Sequence, residues 1–139
     1  MDCFWVDTNI IISFLIKRGQ HSIASKEIMQ KVQDDEIALY LSPIVAAECC
    51  FILRKVYKKE REEIANILTR LFEQPGFLGD DKRLIIEAIG ALKINSRISF
   101  EDAYIAATAK NHSENKILTY NERDFKKLGV EFYTPDRLI

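Results

Sequence analysis

The residues of this chain most able to do chemistry are four acids that stand in or beside apolar segments: Asp7, Glu48, Asp102 and Asp124. Asp7 is the only charged residue between positions 3 and 16, and Glu48 is the only one between positions 37 and 53. A carboxylate taken out of water costs several kcal/mol unless it is paired, protonated or bound to a cation. A cation shared by these acids would account for all of them together.

Acids that converge without a cation repel each other strongly. Two carboxylates about 4 Å apart repel by roughly 4 kcal/mol at an effective dielectric constant near 20, which raises the pKa of one of them by several units. A site made of carboxylates, without His or Cys, suits a hard ion such as Mg²⁺ or Mn²⁺ better than zinc. Such ions organise a phosphodiester and lower the pKa of a bound water. The sequence therefore predicts a metal site that acts on a nucleic acid.

Other catalytic chemistries find little support in the sequence. His21 and His112 lie in polar stretches without an H-E-x-x-H or similar zinc motif around them. The chain also lacks the G-x-S-x-G elbow, the G-x-x-x-x-G-K-[ST] loop and the G-x-G-x-x-G fingerprint. The adjacent Cys49 and Cys50 are interpreted as core packing and not as a nucleophile.

Composition predicts one ordinary globular domain covering residues 1–139. The chain is 47% hydrophobic and 29% charged, and its 20 basic residues are balanced by 21 acidic ones. This balance gives no global positive field, so any surface that binds nucleic acid must be local. Three cysteines, Cys3, Cys49 and Cys50, lie in predicted core segments without C-x-x-C spacing, which suggests buried, reduced thiols in a reducing compartment. Because we find neither a secretory signal nor an apolar stretch of about 20 residues, we expect a cytoplasmic protein without a membrane association.

Short β-rich apolar runs alternate with longer helical patterns along the chain. The patterns predict strands at 3–6, 36–41, 77–78, 116–119 and 131–133. They predict helices from about residue 7, at 22–32 and 43–57, through the apolar positions of 64–72 and 84–92, and at 100–110 and 124–128. Ser42 and Pro43 are expected to open the helix at 43–57, and Ser99 is expected to cap the helix at 100–110. This alternation favours an α/β fold of three layers, α/β/α, around a central, mostly parallel sheet of four to five strands.

The predicted strand ends place several acids at one edge of that sheet. Ligands of parallel α/β sheets bind beyond the carboxyl ends of the strands. Asp7 follows the first predicted strand, and Asn121 and Asp124 follow a later one, whereas Glu48 and Asp102 would reach the same edge from helices. Residues far apart in sequence are therefore expected to converge.

Four segments of the chain form an ordered set, namely FWVDTNIIISFL, IVAAECCFIL, SFEDAYIAATAK and ILTYNERDFKKL. Together they resemble the PIN domain, in particular the VapC-like ribonuclease toxins of toxin–antitoxin pairs. The resemblance spans essentially the whole chain and implies a PIN-like fold. It further implies a metal-dependent endoribonuclease that uses a metal-activated water, forms a homodimer and is inhibited by a cognate antitoxin protein.

The resemblance also assigns roles to particular residues. It implies that the catalytic and metal-binding acids are Asp7, Glu48, Asp102 and Asp124. Many family members carry an acid at the position of Asn121, so the fourth ligand is Asn121, Asp124 or neither of them directly, and one or two metal ions remain possible. The polar side chains expected to support the ligands are Thr8, Asn9 and Thr119.

Each acid also has an ordinary structural explanation. Asp7 could cap a helix, Glu48 could pair with Arg54 or a lysine, and Asp102 could belong to a capping box. At the level of function, one alternative is a PIN-like interaction module without catalysis. Others are a PIN nuclease of RNA processing without a toxin role, or a nuclease that cuts DNA.

RNA contacts are harder to predict from the sequence. The densest basic cluster contains Arg54, Lys55, Lys58 and Lys59, with Arg61 close by. These side chains could bind phosphates, or they could simply be the exposed end of a helix. The aromatic residues Phe4, Trp5 and Phe51 are expected in the core, and Tyr104 and Tyr120 near the acids.

Overall fold

Strands and helices alternate through the computed structural model, which describes residues 1–94 and 97–139. The strands are β1 (Asp2–Trp5), β2 (Ile37–Tyr40), β3 (Phe77–Leu78), β4 (Lys116–Leu118) and β5 (Glu131–Tyr133). The helices are α1 (Thr8–Ile16), α2 (Ser22–Gln33), α3 (Pro43–Lys55), α4 (Arg61–Phe72), α5 (Lys82–Gly90), α6 (Phe100–Lys110) and α7 (Glu122–Lys127). Short 3-10 turns lie at Ala91–Lys93 and Pro135–Arg137. The predicted α/β class is confirmed.

The strands form two parallel sheets. One sheet has the order β1-β2-β3, with Phe4 opposite Leu39 and Leu39 opposite Phe77. The other pairs β4 with β5, with Ile117 opposite Phe132. The parallel direction agrees with the prediction, but the strands do not join in a single sheet of four to five. Among the described residues, no ladder of hydrogen bonds connects the two sheets.

Two helix starts, those of α3 and α6, agree with the prediction. The Ser42 hydroxyl accepts a hydrogen bond from the Val45 backbone N–H, and Pro43 stands in the first turn of α3. The Ser99 hydroxyl likewise accepts from the Asp102 backbone N–H at 3.0 Å, which caps α6 as predicted. The start of α7 differs from the prediction. It begins at Glu122, two residues earlier than expected, because Asn121 caps it.

The core lies between the helices and the three-stranded sheet. Its largest fully buried side chains include Phe72 of α4 and Phe77 of β3, whose ring centroids are 5.5 Å apart. Gly76 brings the chain close to α2, since an added Cβ would lie 2.3 Å from a methyl of Val32. The turn between α4 and β3 therefore depends on a glycine.

Three aromatic residues expected in the core are exposed, and these predictions were wrong. Phe4 and Trp5 are 53% and 71% exposed because β1 is the edge of its sheet, although Trp5 stacks on Tyr40 at 5.0 Å. Phe51 is 62% exposed because it lies off the buried face of α3. Cys3, also on β1, is exposed, so its predicted burial was wrong, whereas Cys49 and Cys50 are buried as predicted. None of the described helices is long and apolar enough to cross a membrane.

Candidate active site

Asp7 and Glu48 are linked through Thr8 at the beginning of α1. Asp7 caps the helix, with its Oδ1 accepting a hydrogen bond from the Thr8 backbone N–H at 2.7 Å. The Thr8 hydroxyl donates to Glu48 Oε2 on α3 at 2.6 Å. Thr8 is only 4% exposed, so its position is fixed by packing. One buried threonine thereby orients two acids that are distant in sequence.

Burial of the acids differs from the premise of the sequence analysis. Asp7 and Glu48 are exposed, Asp102 is half-buried and Asp124 is 3% exposed. The desolvation cost that made acids in apolar segments informative therefore applies in full only to Asp124. The exposed carboxylates of Asp7 and Glu48 are instead accessible to an ion or a substrate.

Asn121 joins Asp102 and Asp124 into a second cluster. Its Nδ2 donates to Asp102 Oδ2 at 3.1 Å and to Asp124 Oδ2 at 2.9 Å. Ionised carboxylates can only accept hydrogen bonds, so the amide nitrogen must face them. The amide oxygen of Asn121 accepts from the Asp124 backbone N–H at 3.3 Å and caps α7. Asn121 therefore separates the two acids and offers them the positive end of its amide dipole.

Asp124 is held in its charged form. Its pKa is lowered first by the hydrogen bond from Asn121, then by that from Arg123, against an opposing effect of burial. Arg123 Nε lies 3.1 Å from Asp124 Oδ1. Both oxygens of Asp124 are therefore engaged by donors of the chain itself. This role of Arg123 was not predicted, although Arg123 stands directly before Asp124 in the sequence.

Carboxylate oxygens remain free in both clusters. Among the described residues, Asp7 Oδ2, Glu48 Oε1 and Asp102 Oδ1 accept no hydrogen bond. Within residues 1–94 and 97–139, however, no three His, Cys, Asp or Glu side chains are grouped closely enough to hold a metal ion. Helix α3, which carries Glu48, packs against α6, which carries Asp102. The donor set itself, carboxylate oxygen, fits Mg²⁺ or Mn²⁺.

The polar residues predicted to support the site have different surroundings. Thr119 Oγ1 accepts from the Asn121 backbone N–H at 2.9 Å and so helps to position the amide of that residue. Asn9 is exposed and lines a groove together with Asp7. Tyr120 is 84% exposed, and Tyr104 stacks on Phe100 with ring centroids 5.8 Å apart.

The basic cluster at the end of α3 is partly engaged within the chain. Arg54 donates to the Lys59 carbonyl at 3.2 Å, and Lys59 Nζ lies 3.9 Å from Glu63. Lys55 and Lys58 are exposed. The guanidinium of nearby Arg61 donates to the carbonyls of Leu92 and Ile98, so Arg61 acts as a structural link.

The buried cysteines are poor nucleophiles. Burial raises the pKa of Cys50 to about 12, with a further contribution from Glu101. Burial also raises the pKa of Cys49, with contributions from Cys50, Glu48 and Asp7 in that order. A thiol that stays protonated at neutral pH does not attack a substrate. The interpretation of this pair as core packing is consistent with their surroundings.

The chain folds as an α/β protein with two small acidic clusters, one at Asp7 and Glu48 and the other at Asp102 and Asp124. The chain belongs to the PIN domain family, whose model matches residues 4–131. It is 25% identical over 130 residues to the VapC ribonuclease of Aquifex aeolicus (strain VF5), an alignment that covers 94% of this chain and 95% of that protein. Comparison with solved structures gave no match.

Proposed function

We propose that this protein is a Mg²⁺- or Mn²⁺-dependent endoribonuclease. The observation that carries the proposal is the oriented pair of exposed acids, Asp7 and Glu48, held by one buried threonine in a chain of the PIN family. The similar VapC protein is a ribonuclease, which supports RNA as the substrate. When bound, the ion would lower the pKa of a water and offset charge on the phosphodiester that is cleaved.

Different residues of the chain would bind the ion, orient its ligands and keep the site negatively charged. Asp7, Glu48 and Asp102 would hold the ion through their free carboxylate oxygens. Thr8 would keep Glu48 in place, and Asn121 would do the same for Asp102. Asp124 would keep the site negative by remaining ionised, although both of its oxygens are already hydrogen-bonded. A hydrogen-bonded shell of this kind usually orients metal ligands.

The biological setting forms a further part of the proposal. The similarity to a VapC ribonuclease supports a toxin that is controlled by a cognate antitoxin. A cytoplasmic homodimer would fit that role. A PIN nuclease of RNA processing would share the chemistry and differ only in its partner. Co-purification of the protein with a small basic or DNA-binding partner from its native host would distinguish these roles.

Cleavage of RNA by the purified protein tests the proposal. Wild-type protein should cleave RNA with Mg²⁺ or Mn²⁺ and should stop when EDTA is added. Asp7→Asn and Asp102→Asn should abolish cleavage while the circular dichroism spectrum stays unchanged. Thr8→Val should reduce the rate by about tenfold to a hundredfold, as expected for a residue that orients a metal ligand. DNA of the same sequence, offered in parallel, tests the alternative of a DNA nuclease.

Glu101→Gln provides a matched control for these variants. Glu101 is exposed and adjacent to Asp102, but it lines a different cavity. Its neutralisation should leave cleavage unchanged. Full activity of Asp7→Asn or Asp102→Asn would contradict the proposed assignment of the acids.

A second candidate function is a PIN-like interaction module without catalysis. One observation favours it, namely that the acids of the described residues are not grouped closely enough to hold an ion. Such a module would show no EDTA-sensitive cleavage of RNA under any divalent ion. The same assay therefore separates the two candidates.

A further inference from the structure

A groove of about 640 Å³ follows one side of α1. On this helix it is lined by Asn9, Ile12 and Ser13, which recur at the spacing of one helical face. Asp7 and Glu48 lie at its beginning, since both are tied to the first residue of α1. The groove therefore starts at the acids proposed to bind the metal ion.

The other end of the groove is basic and polar. Arg18, Gln20 and His21 line it beyond the last residue of α1. The nine residues of α1 span roughly 13 Å at 1.5 Å per residue, which sets the separation between the acidic and basic ends. Gln20 and His21 are hydrogen-bonded to each other, with their Nε2 atoms 3.1 Å apart.

Arg18 has no partner within the described part of the chain. It is exposed and makes neither a hydrogen bond nor an ion pair there. A cation near the C-terminus of a helix is favourable by itself, but Lys17, the residue after α1, already provides one. Lys17 lines a separate cavity with Phe14 and Lys26. The placement of Arg18 in the groove therefore needs another explanation.

We propose that this groove binds single-stranded RNA, with the phosphodiester to be cleaved at the acidic end and a neighbouring phosphate at Arg18. Gln20 and His21 add hydrogen-bond donors at the same end. Half-buried Tyr57 also lines the groove and offers an aromatic surface of the kind on which unpaired bases stack. The inference deepens the proposed function, because it rests on RNA being the substrate.

Salt-dependent binding of RNA tests the role of Arg18. A fluorescein-labelled single-stranded RNA of mixed sequence is titrated with protein in EDTA, in an Asp102→Asn background that prevents turnover, at several salt concentrations. Arg18→Ala should weaken binding by about threefold to tenfold and reduce the slope of log K against log salt by about 0.7, the value for one phosphate contact with a single strand. Lys17→Ala is the matched control, because it removes the same charge one residue away, and it should leave the slope unchanged.

The outcomes separate this inference from the proposed function. If only Arg18→Ala reduces the slope of log K against log salt, the inference is supported even when wild-type protein cleaves no RNA. In that case only the proposed function fails. Equal effects of Arg18→Ala and Lys17→Ala would show a general field of positive charge and would overturn the inference. Unchanged binding in Arg18→Ala, or no binding of RNA by the background protein, would also overturn it.

Discussion

Asn121→Asp is the most informative perturbation of the second acidic cluster. The substitution replaces the amide nitrogen, 3.1 Å from Asp102 Oδ2 and 2.9 Å from Asp124 Oδ2, with a carboxylate oxygen of nearly the same size. Two hydrogen bonds to charged acceptors are lost, and a third negative charge is added beside them. Without metal, the charge must either repel its neighbours or take up a proton.

Proton uptake limits the electrostatic cost of this change. Protonating the new carboxyl costs about 1.36 kcal/mol for each unit by which the pH exceeds the ordinary Asp pKa of about 3.9. Its neutralisation at pH 7 therefore costs at most about 4 kcal/mol. At about pH 5 the same cost falls to roughly 1.5 kcal/mol. Asn121→Ala loses the same hydrogen bonds without adding charge. It should lose about 2 to 4 kcal/mol, and this loss should change little between the two pH values.

Urea unfolding of both variants measures these effects. In EDTA, the destabilisation of Asn121→Asp should shrink by up to about 2.5 kcal/mol between pH 7 and about pH 5, whereas that of Asn121→Ala should stay constant. Mg²⁺ should stabilise Asn121→Asp more than the wild type, because an ion that binds only the folded state raises its stability. If Asn121→Asp were as stable as wild type in EDTA at pH 7, the bridging role of the amide would be refuted.

Three further predictions concern the cysteines, the glycines and acid stability. In native protein, iodoacetamide should modify the exposed Cys3 and spare Cys50, whose pKa is raised to about 12 by burial. Mass spectrometry measures the modification of each cysteine, and equal modification of both would contradict this prediction. Gly76→Ala should destabilise by about 1 to 3 kcal/mol because its Cβ would clash, whereas Gly90→Ala, which meets no atom within 4 Å, should stabilise by about 0.4 to 1 kcal/mol in thermal unfolding. The pKa of Asp124 is lowered in the folded state, so its carboxylate stabilises the fold at pH values above the unfolded pKa of about 3.9, and this stabilisation is lost as the pH falls below that value. Asp124→Asn should therefore make stability fall less steeply in this acidic range, and an unchanged pH profile would contradict the lowered pKa.

Local features of this fold followed from the sequence more readily than long-range ones. The caps at Ser42 and Ser99 and the short strand at Phe77–Leu78 were predicted, because each depends on a few neighbouring residues. The division of the strands into two sheets was not predicted, since pairing between distant strands leaves no local pattern. The exposure of Phe4 and Trp5 follows from that division, because it leaves β1 at a sheet edge.

The candidate site shows the same limit. The sequence identified the acids and Asn121, but it could not show that the Asn121 amide donates to Asp102 and Asp124 at once. The apolar surroundings of Asp7 and Glu48 in sequence suggested burial, yet both side chains reach solvent. The apolar character of a segment is an average over all the residues of a helix or strand, whereas the burial of one residue depends on the face that it occupies.

Calorimetric titration with Mn²⁺ shows whether the two acidic clusters share one ion, as proposed. The wild type should bind Mn²⁺, and Asp7→Asn and Asp102→Asn should each weaken the affinity by at least about tenfold, because each removes a charged ligand of the same hard ion. Should Asp7→Asn lose the ion while Asp102→Asn binds it as tightly as the wild type, the clusters would be independent and the account of a shared metal site would be wrong.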